Sequence, residues 1–208
     1  MDTYELVSKH PLLAILRNVP VEKTIDYAEA AVQGGAPFFE VALNSPNALE
    51  QITMLRNHFG DRCTVGAGTA ITVERCKAAL DAGAQFLLTP GTPLSVYEYC
   101  AKNDVALLPG VLTPTDVATS LEFGFSTMKL FPAGSMPRKY IKDLQGPFDN
   151  THYMAIGGVS PDNIREFFDA GYLSVGLASS MMPKAAVAAG DWETCVAYVR
   201  DMVARIGK

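Results

Sequence analysis

Apolar residues in this chain gather into short runs rather than into long helical stripes. Eight runs stand out, at residues 12–17, 38–43, 63–69, 85–89, 105–109, 127–131, 152–156 and 172–177. Each has the length of a buried strand, and they recur about 20–27 residues apart. Most are followed by a proline, a glycine or a polar break, and then by a stretch with helical periodicity. Several helix starts are legible. Thr72 precedes one helical stretch, and Thr113-Pro114 and Ser160-Pro161 pair a cap with proline in the first turn. Gly34, Gly83, Gly124 and Gly171 follow the last helical residues, where a left-handed C-cap is expected. Asp81-Ala82-Gly83-Ala84 and Asp169-Ala170-Gly171-Tyr172 are near copies of one helix-to-strand turn. The tail, 185–206, predicts one final helix, with Asp191 as a candidate N-cap.

Strand–helix units repeated eight times predict an α/β fold, a (β/α)8 TIM barrel with an extra terminal helix. An open doubly wound sheet is the alternative. Two features favour the barrel: no Gly-x-Gly-x-x-Gly follows the first run, and polar residues cluster at the ends of many runs rather than at one crevice. The 208 residues suit a single domain spanning 1–208, with no linker or low-complexity stretch.

Composition narrows the function. The apolar fraction of 49% and charged fraction of 19% read as globular and soluble. The formal charge of −5 is spread along the chain with no basic tract. Nucleic acid and anionic membrane are therefore not expected partners, while a small phosphorylated substrate needs only a local positive spot. No apolar run approaches the roughly 20 residues of a membrane span, and the N-terminus lacks a signal-peptide profile, so a cytoplasmic location is expected. Cys63, Cys76, Cys100 and Cys195 lie among apolar neighbours and read as reduced, buried thiols. His10, His58 and His152 are far apart, so no metal site is expected.

Two charged residues break the apolar pattern. Glu40 stands inside the second run, and Lys129, alone among the nine lysines, inside the sixth. A barrel interior is a packed core, where an acid and a lysine are costly unless paired or used. A buried ion pair, or a lysine that points outward, would be the structural explanation. The chemical one is that a lysine in low dielectric keeps a population of free amine that can attack a ketone, while a carboxylate nearby shuttles protons. Arg17 closes the first run, either as an exposed strand-end residue or as a bidentate grip on a carboxylate. Thr69 follows Gly66-Ala67-Gly68, as a helix cap or as a hydroxyl offered to ligand. The glycine pair at 157–158 and the small-residue loop at 176–180 follow the seventh and eighth runs, where barrels commonly bind phosphate through backbone N–H groups.

Ala14-Ile15-Leu16-Arg17, Glu40-Val41-Ala42-Leu43-Asn44-Ser45-Pro46, Gly66-Ala67-Gly68-Thr69, Thr89-Pro90-Gly91, Lys129-Leu130-Phe131-Pro132 and Ala155-Ile156-Gly157-Gly158-Val159-Ser160-Pro161 occur in that order. Together, across nearly the whole chain, they resemble the 2-keto-3-deoxy-6-phosphogluconate/6-phosphogalactonate aldolase family. The resemblance implies a cofactor-free homotrimer in which Lys129 is the Schiff-base residue and Glu40 the general acid/base. It implies that Arg17 and Thr69 hold the pyruvyl carboxylate, that Pro90 lines the same pocket, and that Gly157, Gly158, Ala178 and Ser179 receive the phosphate. The expected reaction splits a phosphorylated 2-keto-3-deoxy sugar acid into pyruvate and glyceraldehyde 3-phosphate. Asn44-Ser45-Pro46, where gluconate-type members usually carry Arg-Thr, is similar to the phosphogalactonate branch. So is Arg17, which would supply the cation missing at position 44. Asn18 and Ala178 depart from the family pattern, each standing where a glycine is common. The other readings are a phosphogluconate or 4-hydroxy-2-oxoglutarate aldolase, a phosphosugar isomerase or decarboxylase on the same barrel, and a non-catalytic phosphometabolite-binding protein.

Overall fold

Parallel strands form the wall of a barrel in the computed structural model, which describes residues 1–207. They are β1 (Leu12–Leu16), β2 (Phe38–Ala42), β3 (Thr64–Gly68), β4 (Leu87–Leu88), β5 (Leu107–Leu108), β6 (Gly110–Val111), β7 (Thr127–Leu130), β8 (His152–Ile156) and β9 (Ser174–Leu177). Their order is β5-β4-β3-β2-β1-β9-β8-β7-β6. The two ends of this series, β5 and β6, are successive pieces of one stretch of chain, so the sheet curls back on itself. The expected barrel is found, nearly closed, but the fifth apolar run supplies two short strands instead of one. Pro109 lies between them and has no N–H to give a ladder. Its carbonyl accepts from Lys129 N at 2.8 Å on one side, while Leu108 O accepts a longer bond, 3.4 Å, from Thr89 N on the other. Thr89 Oγ1 bridges the break by accepting from Gly110 N at 3.0 Å.

Side chains alternate across the wall. Leu12, Ala14 and Leu16 of β1, and Phe39 and Val41 of β2, pack outward against the helices. Leu13, Ile15, Phe38, Phe86, Leu88, Leu108, Met154 and Ile156 fill the interior. Leu6 and Val7 join this inner cluster from a helix the sequence did not announce, α1 (Thr3–Lys9), capped by Asp2 Oδ1, which accepts from Tyr4 N at 2.7 Å. α1 thereby plugs the barrel at the end opposite the strand C-termini.

The outer helices are α2 (Thr24–Gln33), α3 (Ala48–Phe59), α4 (Val73–Asp81), α5 (Leu94–Lys102), α6 (Pro114–Glu122), α7 (Tyr140–Gln145), α8 (Ile164–Ala170), α9 (Lys184–Ala189) and α10 (Trp192–Ile206). Thr72, Thr113 and Asp191 act as N-caps, Thr113 within a capping box closed by Asp116. Three local expectations need correction. Ser160-Pro161 opens a turn, and α8 starts only at Ile164, because Asn163 Oδ1 takes Ser160 N and delays the first helical turn. Gly83, Gly124 and Gly171 are left-handed as expected, but Gly34 has φ −76° and Gly35 takes the left-handed role at φ +99°. Gly34 answers to packing instead, since a Cβ there would collide with Val199 of α10. The tail is two helices, not one, broken at left-handed Gly190 (φ +72°). No helix among the described residues is long and apolar enough to cross a membrane.

Candidate active site

The alternation that sends Leu13 and Ile15 inward continues to Arg17, and the same parity carries Glu40, Lys129, Phe131 and Ala178 to the inner face. Around the barrel, β2 and β7 are separated by four steps in either direction when β5 and β6 are taken as one strand. Glu40 and Lys129 therefore face each other across the axis. Both are buried, at 1% and 4% exposure. Gly68 of neighbouring β3 makes room for the acid, because a Cβ there would occupy the position of the Glu40 carboxylate. Glu40 Oε2 has no hydrogen-bond partner among the described residues, a costly state for a buried carboxylate and one that a ligand can relieve.

The ion pairs among the described residues lie at the surface, and neither Glu40 nor Lys129 belongs to one. This removes a buried ion pair as their explanation, and the burial of Lys129 removes an outward-pointing lysine. Burial holds the Lys129 ammonium below the ordinary lysine range; the Glu40 carboxylate opposes that shift and the Arg17 guanidinium adds to it. Lys129 Nζ also lies 5.1 Å from the centre of the Phe131 ring. A buried amine with a lowered pKa, an unpaired carboxylate opposite and an arginine at the rim can together form and hydrolyse an imine.

Arg17 is exposed at the barrel mouth. Asn18, beside it, has φ +55° and donates its N–H to Ser45 Oγ at 3.0 Å, which ties the turn after β1 to the one after β2. Asparagine tolerates this left-handed backbone, so the departure from glycine keeps the turn. Thr69 takes φ +60°, a strained conformation for a β-branched residue, and its hydroxyl donates to Asn44 Oδ1 at 3.3 Å. It caps no helix; Thr72 does that for α4. Pro90 is exposed at the end of β4.

Two cavities with a shared wall open at this end. The smaller, about 230 Å³, brings Arg17 together with Gly157, Gly158, Ala178 and Ser179, and has Phe131 and Ile156 in its walls. Gly157 and Gly158 are both left-handed (φ +87° and +77°), and Gly158 packs so closely on Gly134 that neither could carry a side chain. Ser180 Oγ donates to Val159 O at 3.0 Å and joins the two loops. Among the described residues, the amides of Gly158, Val159, Ser179 and Ser180 donate to no protein acceptor. Free amides beside an arginine suit a phosphate. Glu40, Lys129, Thr69 and Pro90 do not line this cavity; of its lining residues, Ile15 is paired with Glu40 across the sheet and the Phe131 ring neighbours Lys129 Nζ. Ser180 belongs to the small-residue loop read from the sequence, whereas Phe131 and Gly134 carry no role in that reading. Strand parity with Lys129 could have found Phe131, whereas the Gly134 contact had no sequence signal. The four cysteines are free and buried, and no three His, Cys, Asp or Glu side chains among the described residues form a metal-holding group.

Comparison with known proteins agrees with this geometry. The KDPG and KHG aldolase family description matches residues 4–198. A 2-dehydro-3-deoxy-6-phosphogalactonate aldolase of Escherichia coli K12 is 32% identical over 84% of this chain and 85% of that protein. A 2-dehydro-3-deoxy-phosphogluconate aldolase of Pseudoalteromonas atlantica is 29% identical over 98% of this chain and 95% of that protein. Among solved structures, the KDPG aldolase of Legionella pneumophila, with pyruvate captured as a covalent carbinolamine, superposes with a TM-score of 0.89 at 26% identity, covering 97% of this chain and 98% of that one.

Proposed function

Because the chain belongs to the KDPG and KHG aldolase family, we propose that it cleaves a phosphorylated 2-keto-3-deoxy sugar acid through an imine on Lys129. Membership makes the protein a lyase of the aldolase type. The observation that carries the residue assignment is the buried, unpaired Glu40 facing a buried Lys129 of lowered pKa across the barrel axis.

Glu40 takes a proton from the Lys129 ammonium, the freed amine attacks the C2 ketone, and Glu40 returns the proton to the carbinolamine hydroxyl, which leaves as water to give the iminium. Glu40, now a carboxylate, takes the proton of the C4 hydroxyl. The C3–C4 electrons flow into the iminium as the bond breaks, releasing glyceraldehyde 3-phosphate and leaving an enamine. Protonation at C3 and hydrolysis then free pyruvate. The iminium is the electron sink, so the scheme uses no metal or other cofactor. Arg17 holds the pyruvyl carboxylate with Thr69, whose hydroxyl must turn from Asn44 to do so, and Pro90 borders that end. Gly157, Gly158, Ala178 and Ser179 take the phosphate; alanine at position 178 costs room but keeps its backbone N–H. The acting unit is one barrel domain, assembled as a cytoplasmic homotrimer.

For the C4 epimer, the reading is 2-dehydro-3-deoxy-6-phosphogalactonate. Asn44-Ser45-Pro46 and Arg17 support it, as does the name of the 32%-identical relative. The phosphogluconate epimer is the second reading, favoured by the wider coverage of the 29%-identical relative. Borohydride reduction with pyruvate is expected to add one pyruvyl-derived mass to the peptide holding Lys129, and Lys129→Ala to abolish both the adduct and cleavage. Label on another lysine would sink the assignment. Comparing kcat/KM for the two epimers, and for each without its phosphate, tests the substrate: a preference for the gluconate epimer would reverse the epimer reading alone.

A further inference from the structure

The larger cavity adjoins the proposed substrate site and is lined by neither Lys129 nor Glu40. It measures about 620 Å³ and lies between the segment after β1 and the one after β9. It meets the smaller pocket along a shared wall of Ile15, Arg17, Ala178 and Ser179. Its volume is that of a small-molecule site, and its other walls combine apolar and cationic side chains. Val19, Tyr27, Met182 and Val187 supply the apolar part, and Arg17, Lys23 and Lys184 the charge. No aspartate or glutamate lines it, although the chain as a whole carries −5.

The three cations differ in what they are free to do. Lys23 Nζ donates to Val187 O at 2.7 Å and Ala188 O at 2.9 Å, so it clasps the end of α9 to the turn before α2 and keeps the cavity walled. Lys184 is exposed and makes no ion pair among the described residues, and Arg17 stands on the shared wall beside the unused amides of the glycine loop. An anion is favoured where these meet, and an apolar ring is favoured a few ångströms away.

We propose that this cavity binds a phosphate monoester carrying a ring-sized apolar body, of the nucleoside monophosphate class. Its phosphate reaches the shared wall at Arg17 and Ser179, and its ring lies against Val19, Tyr27, Met182 and Val187. Sharing that wall, it excludes the phosphorylated substrate and acts as a competitive inhibitor.

Calorimetry on the intact protein tests this with AMP, adenosine and inorganic phosphate as probes, and needs no assumption about the reaction. AMP is expected to bind at least about tenfold more tightly than either fragment, because only AMP uses both parts of the site. Val187→Trp fills the cavity and is expected to weaken AMP about tenfold or more, leaving phosphate binding unchanged and kcat/KM for cleavage within about twofold. Lys184→Gln, at an exposed position that leaves the fold alone, is expected to weaken AMP by about two- to fivefold. The proposal is overturned if AMP binds no more tightly than phosphate. It is equally overturned if both variants bind AMP as the wild type does.

Discussion

Arg17 and Glu40 pull the Lys129 ammonium in opposite directions, and this makes the site's electrostatics testable residue by residue. The free amine is the nucleophile, so the rate of pyruvate capture should rise with pH up to the Lys129 pKa, which burial keeps below the ordinary 10.5. Glu40 raises that pKa, and Glu40→Gln removes the influence, so the rising limb is expected at lower pH than in the wild type. Arg17 lowers it, and in Arg17→Gln the limb is expected at higher pH. Initial rates of borohydride trapping with pyruvate, taken across pH, check both signs; shifts in the same direction would mean that the two charges do not act on Lys129 as described. In steady-state cleavage Glu40→Gln should also lose roughly 10²–10⁴-fold, the usual contribution of a positioned acid/base. Glu40 and Lys129 were visible in the sequence for one reason: each places a charge in an otherwise apolar strand. Phe131 was not, since a phenylalanine in an apolar run breaks no pattern.

At the scale of elements, what could be read from the sequence was what is decided locally. Thr72, Thr113 and Asp191 cap helices through side chains three residues from the amides they bind, so their role is written in the segment itself. The helix α1 is the opposite case. Seven residues are too few to hold a helix alone, and this one is fixed by burying Leu6 and Val7 in the barrel floor. Val7→Ala is expected to cost about 2 kcal/mol, which for a chain of this size lowers Tm by about 4–8 °C. Because α1 lies at the end away from Lys129 and the glycine loops, kcat/KM should stay within about twofold of the wild type. Thermal denaturation and steady-state kinetics on the one variant check both halves. The break at Gly190 escaped notice because alanine-rich helix flanks it on one side and a helix start on the other, so the periodicity ran on across the turn.

For the whole molecule, the rhythm of apolar runs carried the strand–helix repeat, and the spread of polar residues over many strand ends, with no Gly-x-Gly-x-x-Gly, turned it toward a barrel rather than an open sheet. What the rhythm did not carry is which loops touch. The Gly134–Gly158 contact and the Ser180–Val159 bond join segments distant along the chain. The rim also bears exposed apolar side chains on three successive connections: Leu49 after β2, Ile71 after β3 and Leu94 after β4, at 42%, 41% and 54% exposure. The proposed trimer is expected to cover this sector. Leu94→Asp should then move the sedimentation mass from three chains toward one, while the wild type stays at three. A wild-type monomer would remove the trimer from the reading.

The break at Pro109 gives the barrel a seam. β4, β5 and β6 are two residues each, whereas β1, β2 and β3 are five residues each, and β2 pairs with β3 along its whole length. Backbone groups that few neighbours restrain open more often, so amide protons along the wall are expected to exchange with solvent at unequal rates. Hydrogen–deuterium exchange should label 107–111 sooner than 38–42, and a uniform rate around the wall would contradict this. Since the Lys129 amide is held by the Pro109 carbonyl, opening of the seam is expected to loosen the backbone beneath the nucleophile. A bound keto acid, tethered to Lys129 and gripped from the far wall, would quieten that motion, and slower exchange at 107–111 in the borohydride-fixed adduct would register it.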